Sequence, residues 1–165
     1  MKIDDMRHEL AHLGNNAHAL AVQILGNVDD AADAVQDAFA QALGRGHQYK
    51  PDRGSLRAWF LRIVRNRCID LLRGRMVESD STELLSDPAP GPEAITEFAQ
   101  RDHLLHLALA SLAAEQRQII VLRDYMDLSY GEIAAVLGVA GGTVMSRIHR
   151  ARVALAKAYR EYDEQ

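Results

Sequence analysis

The segment from residue 128 to residue 158 constrains the fold more than any other part of the sequence. Ser129 and Glu132 have the S-x-x-E spacing of a capping box, which starts a helix just ahead of an apolar run. Gly138 follows that run and suits the left-handed position that ends a helix. A second helix then begins within a few residues and keeps one apolar face, at Val144, Ile148, Ala151 and Leu155. The pattern predicts a helix-turn-helix.

The opposite face of that second helix is polar and basic. It carries Thr143, Ser146, His149 and Arg150, with Arg147 and Arg152 on its flanks. Arginine and serine side chains can read base edges when such a helix lies in the major groove of DNA. The favoured interpretation is therefore DNA binding, and the alternative is an ordinary helical hairpin with a charged outer surface.

Charge is segregated along the chain. The net charge is −4, which alone argues against a free-standing nucleic-acid-binding protein. Residues 45–75, however, hold nine Lys and Arg against two acids, and residues 141–160 hold five basic residues and no acid. Between them, residues 76–116 hold eight acids and one arginine. Two separate basic segments favour two contacts with nucleic acid over two solvated helix faces.

The remaining sequence is typical of a helical protein built from two units. Strand-like alternation is absent and good helix formers are abundant. All but one of the four prolines fall between residues 74 and 97, among Ser, Asp and Gly, as in a linker. We therefore expect an all-α protein of two small helical domains, residues 1–75 and 98–165, joined by a flexible acidic linker over residues 76–97.

Helix signals divide the first unit into several segments. A helix ending near Gly26 should be followed by one that is capped by Asp29 or Asp30 and ends at Gly44. A further helix over about residues 56–73 has an apolar stripe and an opposite face that carries Arg62, Arg65, Asn66 and Arg73. We expect this helix to bury one side and to offer its basic side to a partner.

Other features bear on the compartment. Cys68 is the single cysteine, so no disulfide can form within the chain. No apolar run reaches the roughly 18 residues of a membrane span, and the charged N-terminus lacks the apolar core of a signal peptide. We expect a cytoplasmic protein without a membrane segment.

Taken together, the motifs resemble those of the extracytoplasmic-function (ECF) sigma factors, which are small two-domain initiation subunits of bacterial RNA polymerase. ILGNVDDAADAVQDAF and GSLRAWFLRIVRNRCIDLLR are similar to the family's region two, and LAAEQRQIIVLRDYMDLSYGEIAAVLGVAGGTVMSRIHRARVAL is similar to its region four. The resemblance covers nearly the whole chain. It implies binding to core polymerase and recognition of a −35 and a −10 promoter element, with help in opening the −10 region, and it implies neither catalysis nor a cofactor.

The resemblance also implies roles for individual residues. Asp33, Gln36 and Asp37 would contact the clamp helices of the largest polymerase subunit, and the flap of the second-largest subunit would be a further contact. The −10 element would be handled by Arg57, Trp59, Arg62, Arg65 and Asn66, although Trp59 could equally be a core residue. The −35 element or its phosphates would be contacted by Thr143, Ser146, Arg147, His149 and Arg150. An anti-sigma factor is a possible further partner.

Several positions depart from the family pattern. Met145 stands where the family usually has Lys or Arg, so the resemblance implies the loss of one base or phosphate contact here. Ala140 is a poor N-cap and Gly141 a poor helix former, so we expect a weak start to the recognition helix. Two alternatives therefore stay open: a sigma-like decoy that no longer supports initiation, and a free-standing helix-turn-helix regulator.

Residues 8–18 contain a competing motif. His8, Glu9 and His12 form H-E-x-x-H, and His18 has the spacing of a third zinc ligand. A zinc protease would need a substantial subdomain before this motif, whereas only seven residues precede it. We therefore favour ordinary helix histidines here, and we expect no metal site.

Overall fold

The structure is a computed structural model that describes residues 1–78 and 97–165. All the regular elements in these two ranges are helical, as the sequence predicts. The helices are α1 (Ile3–His12), α2 (Gly14–Leu25), α3 (Val28–Gly44), α4 (Leu56–Glu78), α5 (Glu97–Ser111), α6 (Ala114–Ile120), α7 (Tyr130–Leu137) and α8 (Gly141–Asp163).

The N-terminal unit is formed by α1 to α4 around a core of small and aliphatic side chains. Helices α2, α3 and α4 pack against one another, and the rings of Phe39 and Phe60 lie 4.9 Å apart between α3 and α4. The cap predicted at Asp29 or Asp30 is wrong by two or three residues, because the side chain of Asn27 accepts the bond from the Asp30 amide and is the N-cap. Helix α3 ends at Gly44, as predicted.

The C-terminal unit places α8 between α5, α6 and α7. Helix α6 continues through one π turn at Val121–Tyr125, and the side chains of Leu122 within this turn and of Leu128 after it are buried. The chain then turns by 94° from α7 into α8. No single helix in the described ranges is long and apolar enough to cross a bilayer, and the bent pair of α7 and α8 meets that test only when the two are taken together.

The two units pack against each other. Helix α4 lies along α7, and α2 lies against α6. Helix α4 also runs through Glu78, beyond the predicted end near residue 73. Of the predicted linker over residues 76–97, the stretch 79–96 lies outside the described residues. On the predicted basic side of α4, Arg62 and Arg65 donate hydrogen bonds to the second unit of the same chain, whereas Asn66 and Arg73 are exposed.

Candidate DNA and polymerase interfaces

The turn between α7 and α8 has the predicted geometry. The hydroxyl of Ser129 accepts a hydrogen bond from the Glu132 amide, and the Glu132 carboxylate accepts one from the Ser129 amide, both at 3.1 Å. These two bonds are the capping box. Gly138 ends α7 in the left-handed conformation, with φ of 67°. The helix-turn-helix is therefore held by local bonds at both ends of its first helix.

The candidate −35 face of α8 points to solvent. The side chains of Val144, Ile148 and Ala151 are buried beneath α8. On the opposite face, Thr143, Ser146, His149 and Arg150 are exposed, and Arg147 is partly buried at the flank. Ala140 makes no side-chain capping bond, as its identity predicts. The face thus presents polar and basic groups together.

Hydroxyls near the start of α8 are already engaged within the helix. Thr143 donates to the Ala140 carbonyl at 2.8 Å, and Ser146 donates to the Thr143 carbonyl at 3.0 Å. Their oxygens can still accept bonds from outside. Arg152, on the other flank, donates to the Asp124 carboxylate at 3.2 Å and keeps half of its side chain exposed.

The candidate −10 residues of α4 divide into two groups. Arg57, Arg62 and Arg65 all contact the C-terminal unit. Arg62 donates to the Ala135 carbonyl at 3.4 Å, and Arg65 donates to the buried amide oxygen of Gln118 at 2.8 Å. Asn66 is exposed.

The Glu132 carboxylate is the centre of this contact. Arg57 binds it through two nitrogens, with Nη2 to Oε1 at 2.7 Å and Nε to Oε2 at 3.1 Å. Ser55 donates to Oε2 at 2.7 Å, and the same hydroxyl accepts the Ala58 amide at 3.1 Å, so Ser55 also caps α4. With the Ser129 amide, the carboxylate accepts four hydrogen bonds, two on each oxygen.

Electrostatics follow this geometry. The hydrogen bonds from the Arg57 side chain, the Ser129 amide and the Ser55 hydroxyl lower the pKa of Glu132 to about 2, and partial burial only in part opposes them. Burial lowers the pKa of the Arg65 guanidinium; the Glu115 carboxylate opposes this shift, and the like charges of Arg62 and Arg147 add to it. The packing of the two units thus pairs Arg57 with the Glu132 carboxylate, and it places the Arg65 guanidinium near the like charges of Arg62 and Arg147.

The remaining predicted residues of the N-terminal unit have distinct surroundings. Trp59 is partly buried, and its ring lies 5.5 Å from the ring of Tyr49. Asp33, Gln36 and Asp37 lie exposed on α3. Asp37 is paired with Arg67 of α4 at 3.0 Å.

The histidines of the H-E-x-x-H motif do not form a three-ligand site. His8 and His12 approach each other on α1, with their Nε2 atoms 3.4 Å apart. His18 instead bonds the Val28 carbonyl at 3.2 Å. Across residues 1–78 and 97–165, no three His, Cys, Asp or Glu side chains come together as a metal site.

Sequence reasoning missed the residues that join the two units. Ser55 and Glu132 are recognisable as caps of their own helices, but nothing local shows that they bind each other across 77 positions. Gln118 and Arg117 were also missed; Arg117 donates to the Gln23 carbonyl at 3.2 Å, at the end of α2. A buried glutamine among apolar neighbours could have been suspected only once the packing was known.

Comparisons with known proteins agree with this architecture. Residues 10–76 match the family model of sigma-70 region 2, and residues 102–155 match that of sigma-70 region 4. The ECF RNA polymerase sigma factor SigE of Mycolicibacterium smegmatis is 38% identical over 143 residues, which are 84% of this chain and 55% of that protein. The chain therefore spans only about half the length of that relative.

Two further relatives match over most of their length. The ECF RNA polymerase sigma factor EcfG of Rhodopseudomonas palustris is 31% identical, over 93% of this chain and 84% of its own length. In a solved structure, the sigma factor RpoE of Bartonella quintana, in complex with the anti-sigma factor NepR, superposes with a TM-score of 0.74. That superposition covers 94% of this chain and 97% of the RpoE chain at 28% identity. The chain belongs to the family of ECF RNA polymerase sigma factors.

Proposed function

We propose that the chain is a promoter-specific initiation factor of RNA polymerase and that each of its two basic faces contacts one promoter element. The exposed face of α8 reads the −35 element or its phosphates through Thr143, Ser146, Arg147, His149 and Arg150. The basic side of α4, with Arg57, Arg62, Arg65 and Asn66, holds the −10 strand. The observation that carries this proposal is that both faces lie on separate units, each matching its own sigma region.

Polymerase binding is assigned to the exposed side of α3. Asp33, Gln36 and Asp37 share that side, next to a core contributed by α2 and α4. Acidic and amide side chains that are exposed on a rigid helix suit a polar, rim-type interface. In this proposal the chain positions DNA and polymerase, and the polymerase performs the chemistry. Since the bacterial polymerase and chromosome lie in the cytoplasm, we expect the chain to act there.

Co-elution with purified core RNA polymerase on a sizing column tests this proposal. The wild type should co-elute, and Asp33→Arg/Gln36→Arg should not, because two cations would face the polymerase contact. This pair leaves the Asp37–Arg67 ion pair in place. Glu161→Arg/Gln165→Arg is the matched control, with the same change in charge at exposed positions near the end of α8.

Failure of the wild type to co-elute, while it remains folded and helical, would refute the sigma-factor proposal and favour a decoy. Equal loss in both double variants would show a general charge effect and would refute the assignment to α3. An anti-sigma factor, which the Bartonella relative binds, is a candidate further partner.

A further inference from the structure

We propose that a cleft between the two units is a binding site for a pyrophosphate group, either as inorganic pyrophosphate or as part of a nucleoside diphosphate. We call it the arginine cleft, because the side chains of Arg65, Arg147 and Arg150 line it. The proposal goes beyond promoter recognition and does not depend on the assignment of these residues to DNA.

The arginine cleft is built by three helices that come from both units. Arg65 belongs to α4, and Glu115 and Gln116 lie in the first turn of α6. Arg147 and Arg150 lie three residues apart on α8, so both are on neighbouring parts of one helix surface. A ligand in this space therefore meets guanidinium groups from both units.

Most hydrogen-bond donors of these three arginines are unused. Arg65 donates to Gln118 through its ε-nitrogen at 2.8 Å, and its two terminal nitrogens have no hydrogen-bond partner within residues 1–78 and 97–165. In the same two ranges, Arg147 and Arg150 make no hydrogen bond or ion pair. Each guanidinium carries five N–H donors in a planar fork that matches the oxygens of a phosphate. The cleft thus offers several free donors of the type that binds phosphate.

Positive charge in the arginine cleft is not balanced. Glu115 is the one carboxylate among the lining residues that the structure describes, so two of the three arginine charges stay uncompensated. The apolar side chains of Ile119 and Leu137 complete the lining. They lower the local dielectric, which strengthens the interaction of the arginines with an anion. An anion with at least two negative charges therefore suits the cleft better than a neutral or singly charged ligand.

The volume of the cleft indicates the size of this anion. The cleft measures about 360 Å³, within the range of about 300–1,000 Å³ that is usual for small-molecule sites. A DNA duplex, whose major groove alone is about 12 Å wide, is too large to enter it. A single phosphate leaves much of the space to water, whereas two linked phosphates extend farther and offer more oxygens to three guanidinium forks. A pyrophosphate group matches the cleft in both charge and size.

The test is isothermal titration calorimetry on the full chain at about 0.15 M salt, where distant surface charges are screened. The probes are inorganic pyrophosphate, ADP, inorganic phosphate and adenosine. Pyrophosphate and ADP should each bind at one site per chain, phosphate should bind at least tenfold more weakly, and adenosine should not bind. Tighter binding of ADP would identify a nucleotide as the source of the group, and tighter binding of pyrophosphate would identify the free anion.

Arginine substitutions in both units locate the bound probe. Arg65→Gln in α4 and Arg150→Gln in α8 should each weaken pyrophosphate binding about tenfold or more, because each removes charge-assisted hydrogen bonds. Arg150 is exposed, so its replacement leaves the core intact. Arg160→Gln is the matched control, with the same change in charge at an exposed position of α8 that does not line the cleft.

A substitution of the acidic residue should have the opposite effect. Glu115→Gln removes the carboxylate that repels the anion, and it should tighten pyrophosphate binding about fivefold, the effect of one like charge at about 4 Å in a water-like dielectric. Glu161→Gln, at an exposed position near the end of α8, is the control and should leave the affinity unchanged.

Four results would overturn the proposal. They are no binding of pyrophosphate to the folded wild type, binding no tighter than that of phosphate, equal losses in Arg150→Gln and Arg160→Gln, and unchanged affinity in Glu115→Gln. Loss in Arg150→Gln but not in Arg65→Gln would place the probe on α8 alone and overturn its position between the units. These titrations contain neither polymerase nor DNA, so failure of this inference is distinguishable from failure of the co-elution experiment.

Discussion

Alanine in place of Gly138 should destabilise the protein, and the cost should come from the backbone alone. Gly138 has φ of +67° at the end of α7, a conformation that costs an L-residue about 1–2 kcal/mol. A Cβ at this position would lie 3.8 Å from its nearest neighbour, Nη2 of Arg62, which is ordinary van der Waals contact. Since no clash adds to the strain, the expected loss in unfolding free energy is about 1–2 kcal/mol.

The same substitution at Gly142 should instead raise the free energy of unfolding. Gly142 lies in the first turn of α8 with no positive φ, and an added Cβ would meet nothing within 4 Å. Alanine there restricts the unfolded chain and favours the helix, with an expected gain of about 0.4–1 kcal/mol. Two identical substitutions four residues apart should therefore differ by about 2 kcal/mol.

Urea denaturation followed by circular dichroism measures both effects, provided that the slopes agree among variants. Gly138→Asn is the control, because asparagine tolerates the left-handed region better and should lose less than alanine. In thermal unfolding, each kcal/mol should correspond to about 2–4 °C for a chain of this size. Shifts of the same sign for Gly138→Ala and Gly142→Ala, or no loss in Gly138→Ala, would refute the reasoning about this turn.

Three further predictions concern charge and burial. Because the folded pKa of Glu132 lies near 2 instead of 4.5, its contribution to stability is complete above pH 4.5 and is lost as the pH falls toward 2. Acid titration of the unfolding free energy should therefore be steeper for the wild type than for Glu132→Gln. Arg150→Ala should flatten the slope of log K, the binding constant for −35 DNA, against log salt by about 0.9. Arg7→Ala is the control and should leave the slope unchanged. Equal slopes in the wild type and both variants would show that Arg150 does not contact a phosphate. Burial raises the pKa of the Cys68 thiol to about 11, so a thiol reagent should label it slowly in the native protein and rapidly in urea; rapid native labelling would contradict the burial.

Local signals were sufficient to predict helices α3, α4, α7 and α8 and the turn between α7 and α8, although the start of α3 and the end of α4 were misplaced. The capping box and Gly138 depend on bonds within a few residues, so their spacing predicts them directly. The start of α3 was misplaced because Asn27, Asp29 and Asp30 are all good caps, and only the backbone shows which one adopts the extended conformation. That Ala140 makes no side-chain capping bond followed from residue type alone.

The arrangement of the two units could not be predicted in this way. The basic side of α4 was expected to face a partner, and its arginines identified the charge of the surface but not what covers it. Its contacts with Glu132 and Gln118 join residues more than 50 positions apart. The spacing of apolar and polar residues along one helix gives no information about such contacts. Which residues contact DNA and polymerase stays a prediction for the same reason, since it depends on surfaces of other molecules.

The four bonds accepted by Glu132 carry a consequence for sequence variation within the family. Each carboxylate oxygen accepts two hydrogen bonds, which uses its full capacity. Aspartate at this position would be too short to serve Arg57 and Ser129 together. Positions 55, 57, 129 and 132 should therefore change together or not at all among close relatives that share this packing. A substitution at one of them should be accompanied by substitutions at the other three.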